Sequence, residues 1–185
     1  MQTSKIQGQK LRQILFTTDM VRAILDGRKT QTRRIKYKCE VGDVLWVRET
    51  FGYLGAGKDV VYKADCNNFG SGKKWLSPYH MTRKACRLFL QVEAVREERL
   101  QVINPNDILN EGVVFDEYIK AREEEEYSES NPISQEIYDK LFGKFIDLWD
   151  SINAKRGYGW DSNPIVKVIE FRVLKDFCVE DNLCG

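Results

Sequence analysis

The chain has 185 residues, 42% of them apolar and 31% charged, with a formal net charge of +1. That composition excludes a disordered polyelectrolyte and suits one globular domain with a sizeable core. No apolar run approaches the roughly 18 residues of a membrane span, and Met1–Lys10 is polar without a signal core, so cytoplasmic residence is expected.

The neutral total hides a strong asymmetry. Residues 1–48 hold eleven Lys/Arg against four acids, whereas residues 97–139 hold thirteen acids against three bases. In chain order, Leu11–Phe16 reads as a first strand. Thr17 or Thr18 can cap a short helix from about Asp19, in which Met20, Val21, Ile24 and Leu25 recur at helical spacing until Gly27 stops it. Thr30–Lys36 reads as a strand with Thr30, Thr32 and Arg34 on one face and Gln31, Arg33 and Ile35 on the other. A Gly42-Asp43 turn leads into a strand over Val44–Phe51, and Val60–Ala64 forms another. Residues 66–80 read as a long surface loop and Arg87–Val95 as a strand.

Asn104-Pro105 opens a short helix toward Glu111, ended by Gly112. Residues 113–133 are acidic, with Glu123–Glu126 in a row, and read as a mobile insertion or a solvated helix face. Ser134 caps the strongest helix. Ile137, Leu141, Phe145, Leu148 and Ile152 run down one face, widened by Tyr138, Phe142 and Trp149. The last element is an alternating strand, Ile165–Leu174. The mixture predicts an α+β domain around a sheet or small barrel. Five cysteines, none in C-x-x-C spacing, and a single histidine predict reduced thiols and neither metal nor cofactor.

The chemistry concentrates in Asp26-Gly27-Arg28-Lys29-Thr30-Gln31-Thr32-Arg33-Arg34, where four cations and two hydroxyls follow a helix-ending glycine. Charges this dense repel one another unless they are solvated or offered to an anion. Arginine forks, a lysine point charge and threonine hydroxyls suit a phosphate backbone or a nucleotide. A solvated basic strand is the plain alternative. Trp46, Tyr53, Trp75, Tyr79 and Trp160 are aromatic residues near loops or strand ends. Trp75, after Lys73-Lys74, is the best placed to stack a base. His80 is a candidate base for RNA cleavage, and Arg83 and Arg87 can extend the basic surface.

The segment Ile14–Ile35 closely resembles the opening of ASCH domains, a helix followed by G-x-K-T-x-T-x-R. The resemblance continues through Gly42-Asp43-Val44-Leu45, Asn110-Glu111-Gly112 and the closing Val168-Ile169-Glu170-Phe171. Further marks resemble a phage and prophage branch: Trp46–Phe51, Trp75 with His80-Met81, Leu148–Asn153, and Trp160 with Asn163-Pro164. This resemblance implies a single ASCH domain over 1–185, a PUA-like small mixed β-barrel with flanking helices. Segments 66–80 and 113–133 would be its insertions.

It also implies nucleic-acid binding, and with the residue chemistry above the expected contacts to RNA, a nucleotide or a nucleoside are Arg28, Lys29, Thr30, Thr32, Arg33, Arg34, Trp75 and His80. Some ASCH proteins are enzymes: a small amidohydrolase removes the acetyl group from acetylcytidine, and another member cleaves RNA. By motif position the amidohydrolase site falls on Lys29, Thr32 and Glu111. Lysine would act as base toward threonine, glutamate as proton shuttle, and Arg34 as stabiliser of negative charge. The alternative is a Lys29–Glu111 salt bridge with Thr32 in a strand ladder. A role as a phage assembly or regulatory factor, with a phage protein as partner, is a third reading. Oligomeric state stays open.

Overall fold

The computed structural model describes residues 10–54, 59–68, 70, 74–113 and 135–175. Its elements are β1 (Leu11–Leu15), α1 (Thr18–Leu25), β2 (Gln31–Arg34), β3 (Val44–Arg48), β4 (Phe51–Leu54), β5 (Asp59–Tyr62), β6 (Phe89–Arg99), α2 (Pro105–Asn110), α3 (Gln135–Asn153) and β7 (Ile165–Val173). Two compact units divide the chain. The first comprises Met1–Arg22, Cys39–Ala94 and Phe171–Gly185, and the second Ala23–Lys38 and Val95–Glu170.

In the first unit β1 runs parallel to β3, Leu11 beside Val44, and β3 runs antiparallel to the start of β6, Leu45 beside Leu90. Leu45 and Val47 are fully buried, the usual state of a strand paired on both sides. The expected strand over Val44–Phe51 stops at Arg48. Glu49 beyond it is a buried carboxylate held by Arg87, and Phe51 starts a separate two-stranded sheet of β4 and β5. Phe51, Met81 and Ala85 form a small core there with Val60, Tyr62 and Leu76 against it.

In the second unit β2 pairs antiparallel with β7, Thr32 beside Ile169. Its core joins Leu100, Ile103, Ile108, Val113, Leu141, Phe145, Trp149, Val166 and Val168. The α3 stripe follows the expected helical spacing except at Ile152, which is 41% exposed while Trp149 is 6% exposed. Trp149 takes the inward position because its indole N–H donates to the Tyr158 carbonyl at 2.8 Å. Expected features at Ser134, in 114–133 and at Cys178 and Cys184 lie outside the described residues.

The α+β class is what the structure shows. Its five-stranded sheet has the order β1-β3-β6-β7-β2. Among the described residues β1 and β2 remain edges, so the sheet is open and does not close into the expected barrel.

Helix α2 begins as its sequence dictates. The Asn104 side chain accepts from the Asp107 N–H at 2.9 Å, and Pro105 occupies the first turn, where no N–H is needed. Asn104 also donates to the Asp107 carboxylate at 3.1 Å. Asn104→Ala is therefore expected to cost about 1–2 kcal/mol, readable in urea denaturation. A loss below a few tenths would mean that packing alone sets this helix start.

Candidate functional site

The second unit gathers the charged residues of the basic segment. Past α1 the Arg28 and Lys29 amides both donate to the Ala23 carbonyl, at 2.8 and 2.9 Å, across Gly27 at φ +73°. This turn aims Lys29 inward, where it forms an isolated antiparallel bridge with Glu111. Helix α2 ends on the other side of that bridge. Gly112, at φ +80°, donates to the Leu109 carbonyl, and Val113 to that of Ile108, a Schellman closure that leaves Glu111 beside β2.

Lys29 is 1% exposed. Its ammonium donates to Glu111 Oε2 at 2.7 Å, the Glu111 carbonyl at 2.8 Å and the Gln31 carbonyl at 2.9 Å. Burial pushes its pKa below the ordinary 10.5. The Glu111 carboxylate opposes that shift, and the nearby Arg34 and Arg33 reinforce it. Arg34 is half-buried. Burial lowers its pKa too, against the pull of Glu111.

Arg33 is buried and forked among three carboxylates: Glu98 at 2.7 Å, Asp107 at 2.9 Å and Glu111 at 3.3 Å. Asp107 also accepts from Gln31 at 3.1 Å and from Arg96 at 3.2 Å, and Arg96 pairs further with Glu98 and Glu170. Three cations, Lys29, Arg33 and Arg96, thus meet four carboxylates. The positive charge of this part of the basic segment is spent internally.

Thr32 lies on the opposite face of β2 from Gln31 and Arg33 and is fully buried. Its hydroxyl has no hydrogen-bond partner, and neither has Arg33 Nε. Lys29 and Glu111 are joined, then, while the Thr32 hydroxyl is bonded to neither. Arg28 is exposed and pairs with Asp26, and the exposed Thr30 uses its amide on the Asn110 carbonyl at 2.9 Å.

Trp75 and His80 belong to the first unit. Trp75 is half-buried, with its indole N–H donating to the Asn67 carbonyl at 3.3 Å. His80 is exposed at the end of a 3-10 turn, Pro78–His80. Arg83 is exposed, whereas Arg87 is committed to Glu49 and Asp65 and lies 3.9 Å from the Tyr62 ring centroid. Sequence reasoning missed Asp107 and Glu98 as partners of Arg33, and Gln31 and Arg96 as further donors to Asp107. Among the described residues no cluster of His, Cys, Asp and Glu is placed to hold a metal ion, and no helix is long and apolar enough to cross a membrane.

No protein-family model and no curated protein matches the chain. The chain is similar to a solved structure, the crystal structure of an ASCH domain from Lactobacillus crispatus JV V101. It is 11% identical, with 89% of this chain and 79% of that one covered and a TM-score of 0.40.

Proposed function

We propose that the chain is a cytoplasmic nucleoside- or nucleotide-binding protein of the ASCH type, whose site on the second unit comprises Lys29, Thr32, Arg34 and Glu111, and that RNA is the polymer carrying its ligand. The observation that carries this reading is the Thr32 hydroxyl, fully buried without a hydrogen-bond partner. A buried unpaired polar group costs about 1–3 kcal/mol, and a ligand's donor or acceptor would recover it. The motif resemblance of Ile14–Ile35 supports the same residues. Because Lys29 and Arg33 are already neutralised by carboxylates, recognition here favours the polar edge of a base over a phosphate chain.

Thr32→Val is the test. It keeps the shape and deletes the hydroxyl, so stability should hold or rise by about 1 kcal/mol. Affinity for nucleosides, measured by calorimetry against cytidine, uridine, an acylated cytidine and their monophosphates, should fall about tenfold. A variant that loses stability but keeps its affinity would show the hydroxyl to be structural. Binding to this site should depend only weakly on salt, and a steep slope would point to phosphates instead.

Lys29 favours a second reading, hydrolysis of an acylated nucleoside. A buried lysine with a lowered pKa, bonded to a carboxylate that can take its proton, is the base such a reaction needs. The Thr32 oxygen would attack the acyl carbon while its proton passes to Lys29. Glu111, taking that proton from Lys29, would pass it to the departing amine while Arg34 faces the oxyanion, and water would then cleave the acyl-threonine ester, releasing the acid and restoring the Thr32 hydroxyl. Turnover abolished in both Thr32→Val and Lys29→Met would support it, and no turnover by the wild type on acylated nucleosides would end it. Nothing among the described residues favours a phage-assembly role.

A further inference from the structure

We propose that Lys36, held over the Tyr158 ring, and Lys155 and Arg156 on the turn before that ring receive the phosphates of an RNA strand, just beyond β2 in the second unit. The inference rests on the reading of RNA as the polymer that carries the ligand, and it names where the phosphates beside the bound base go. Strand β2 ends at Arg34, so Lys36 lies two residues past it and four past Thr32. Four residues span at most about 14 Å of chain, a distance that a short single strand bridges.

The backbone at Lys36 is the first observation. Its φ is +53°, in the left-handed region that costs most side chains free energy and that asparagine accepts more readily. Residues held in such conformations cluster at ligand clamps. The Lys36 side chain is exposed, and its ammonium lies 5.7 Å from the Tyr158 ring centroid. The ring orients the charge without cancelling it. The turn beneath the ring is fixed to the core. The Tyr158 carbonyl accepts the Trp149 indole N–H at 2.8 Å, and the Tyr158 amide donates to the Asn153 carbonyl at 3.2 Å. Trp149 and Asn153 are both buried. A cation aimed by a fixed turn loses little freedom when an anion arrives.

Charge is the second observation. Lys155 and Arg156 are exposed on the 3-10 turn Ala154–Arg156, from which Gly157 leads into Tyr158. A helix C-terminus such as that of α3 favours cations beyond it. Here, however, backbone amides cap the last carbonyls: Asn153 accepts from Tyr158 and Ala154 from Gly157. Neither 27–39 nor 151–160 contains an acid, and of the two that flank the latter, Asp150 accepts the Trp160 amide at 2.7 Å and Asp161 is exposed. Among the described residues no carboxylate pairs with Lys36, Lys155 or Arg156. Lys29 and Arg33, by contrast, are neutralised by Glu111, Asp107 and Glu98. The basic segment therefore runs from compensated charge beside Thr32 into uncompensated charge at Lys36. That order suits a base followed by its phosphates. An acidic peptide would satisfy the cations and leave the neighbouring base site unused.

Fluorescence anisotropy with a labelled hexacytidylate, beside calorimetry with cytidine, tests this. Hexacytidylate should bind the wild type about tenfold or more tighter than cytidine, with a clear salt dependence. Lys36→Asn keeps the left-handed backbone and removes the charge, so it should resist urea as well as the wild type. It should weaken hexacytidylate roughly three- to tenfold and reduce the salt slope by about 0.7, as should Arg156→Ala, and the triple variant with Lys155→Ala should lose a slope of about 2. Cytidine should bind all of these like the wild type. Polyglutamate should compete far less well than unlabelled hexacytidylate. Wild-type affinity and slope in the triple variant, hexacytidylate no tighter than cytidine, equal competition by polyglutamate, or equal loss of cytidine and hexacytidylate in Lys36→Asn would each overturn the proposal. Cytidine binding and its response to Thr32→Val report on the other site. Hexacytidylate that responds to Lys36→Asn while cytidine fails to bind would end the Thr32 reading and leave the phosphate site standing.

Discussion

Glu111→Ala is expected to lower folding stability by about 3–5 kcal/mol, the range for removing one partner of a buried ion pair. The carboxylate is the counter-charge of Lys29 at 2.7 Å and also receives Arg33 at 3.3 Å. Arg33 keeps Asp107 and Glu98, but the fully buried Lys29 would lose the carboxylate that receives its ammonium, while the Gln31 and Glu111 carbonyls stay beside it. The cost lies in that stranded ammonium, so the double variant Lys29→Met/Glu111→Leu should recover most of the loss. The pH dependence has a definite sign. Burial places the folded-state pKa of Lys29 below the unfolded value near 10.5, so the unfolded chain binds more protons in that window and stability rises with pH through it. Without Glu111 that pKa falls further, because the carboxylate is what opposes the shift. The deficit of Glu111→Ala, read from urea denaturation, should therefore narrow as pH is raised from 7 toward 10. A deficit below 1 kcal/mol and flat with pH would mean that water already reaches the pair.

Local signals in the chain were legible because local physics sets them. The Thr17 hydroxyl accepts from the Met20 amide, Asn104-Pro105 opens α2, and Gly27 and Gly112 take the left-handed turns that only glycine adopts freely. Alternation in β2 also separated Thr32 from Gln31 and Arg33 correctly. The far end of β6 was missed, since Arg96–Arg99 look like a loop when their partners are unknown. The Lys29–Glu111 salt bridge stood among the sequence readings, but the compensation of Arg33 was invisible for the same reason. Arg33 and Asp107 are 74 residues apart, and no periodicity connects them.

A fainter signal did exist. Gln31 and Arg33 are two residues apart on a strand, spaced about 6.6–6.8 Å, and Asp107 and Glu111 are four apart on a helix, spaced about 6 Å. Two polar ladders of matching pitch, one of donors and one of carboxylates, are complementary once strand and helix lie side by side. The density of positive charge in 28–34 therefore announced burial against acids as much as an invitation to an anion.

Gly112→Ala should be the most damaging single-methyl change near the site, costing about 2–4 kcal/mol. A left-handed backbone alone costs an alanine roughly 1–2 kcal/mol. Gly27, at φ +73° with nothing within 4 Å of an added Cβ, isolates that backbone contribution. At Gly112, φ is +80° and the new Cβ would sit 2.9 Å from the Cβ atoms of both Ala23 and Lys29. Neither neighbour is the tip of a flexible side chain. Ala23 carries the carbonyl that receives the Arg28 and Lys29 amides, and the Lys29 Cβ is the root of the buried ammonium. Relief must come from moving backbone, and the easiest movement separates α2 from the Lys29 turn. Urea denaturation should thus place Gly112→Ala well below Gly27→Ala. Nucleoside affinity should fall only in the former, because only there does Lys29 shift relative to Glu111. Equal losses in the two variants would show that the helix end tolerates an ångström of slack, and the Lys29–Glu111 distance would then owe nothing to the glycine between them.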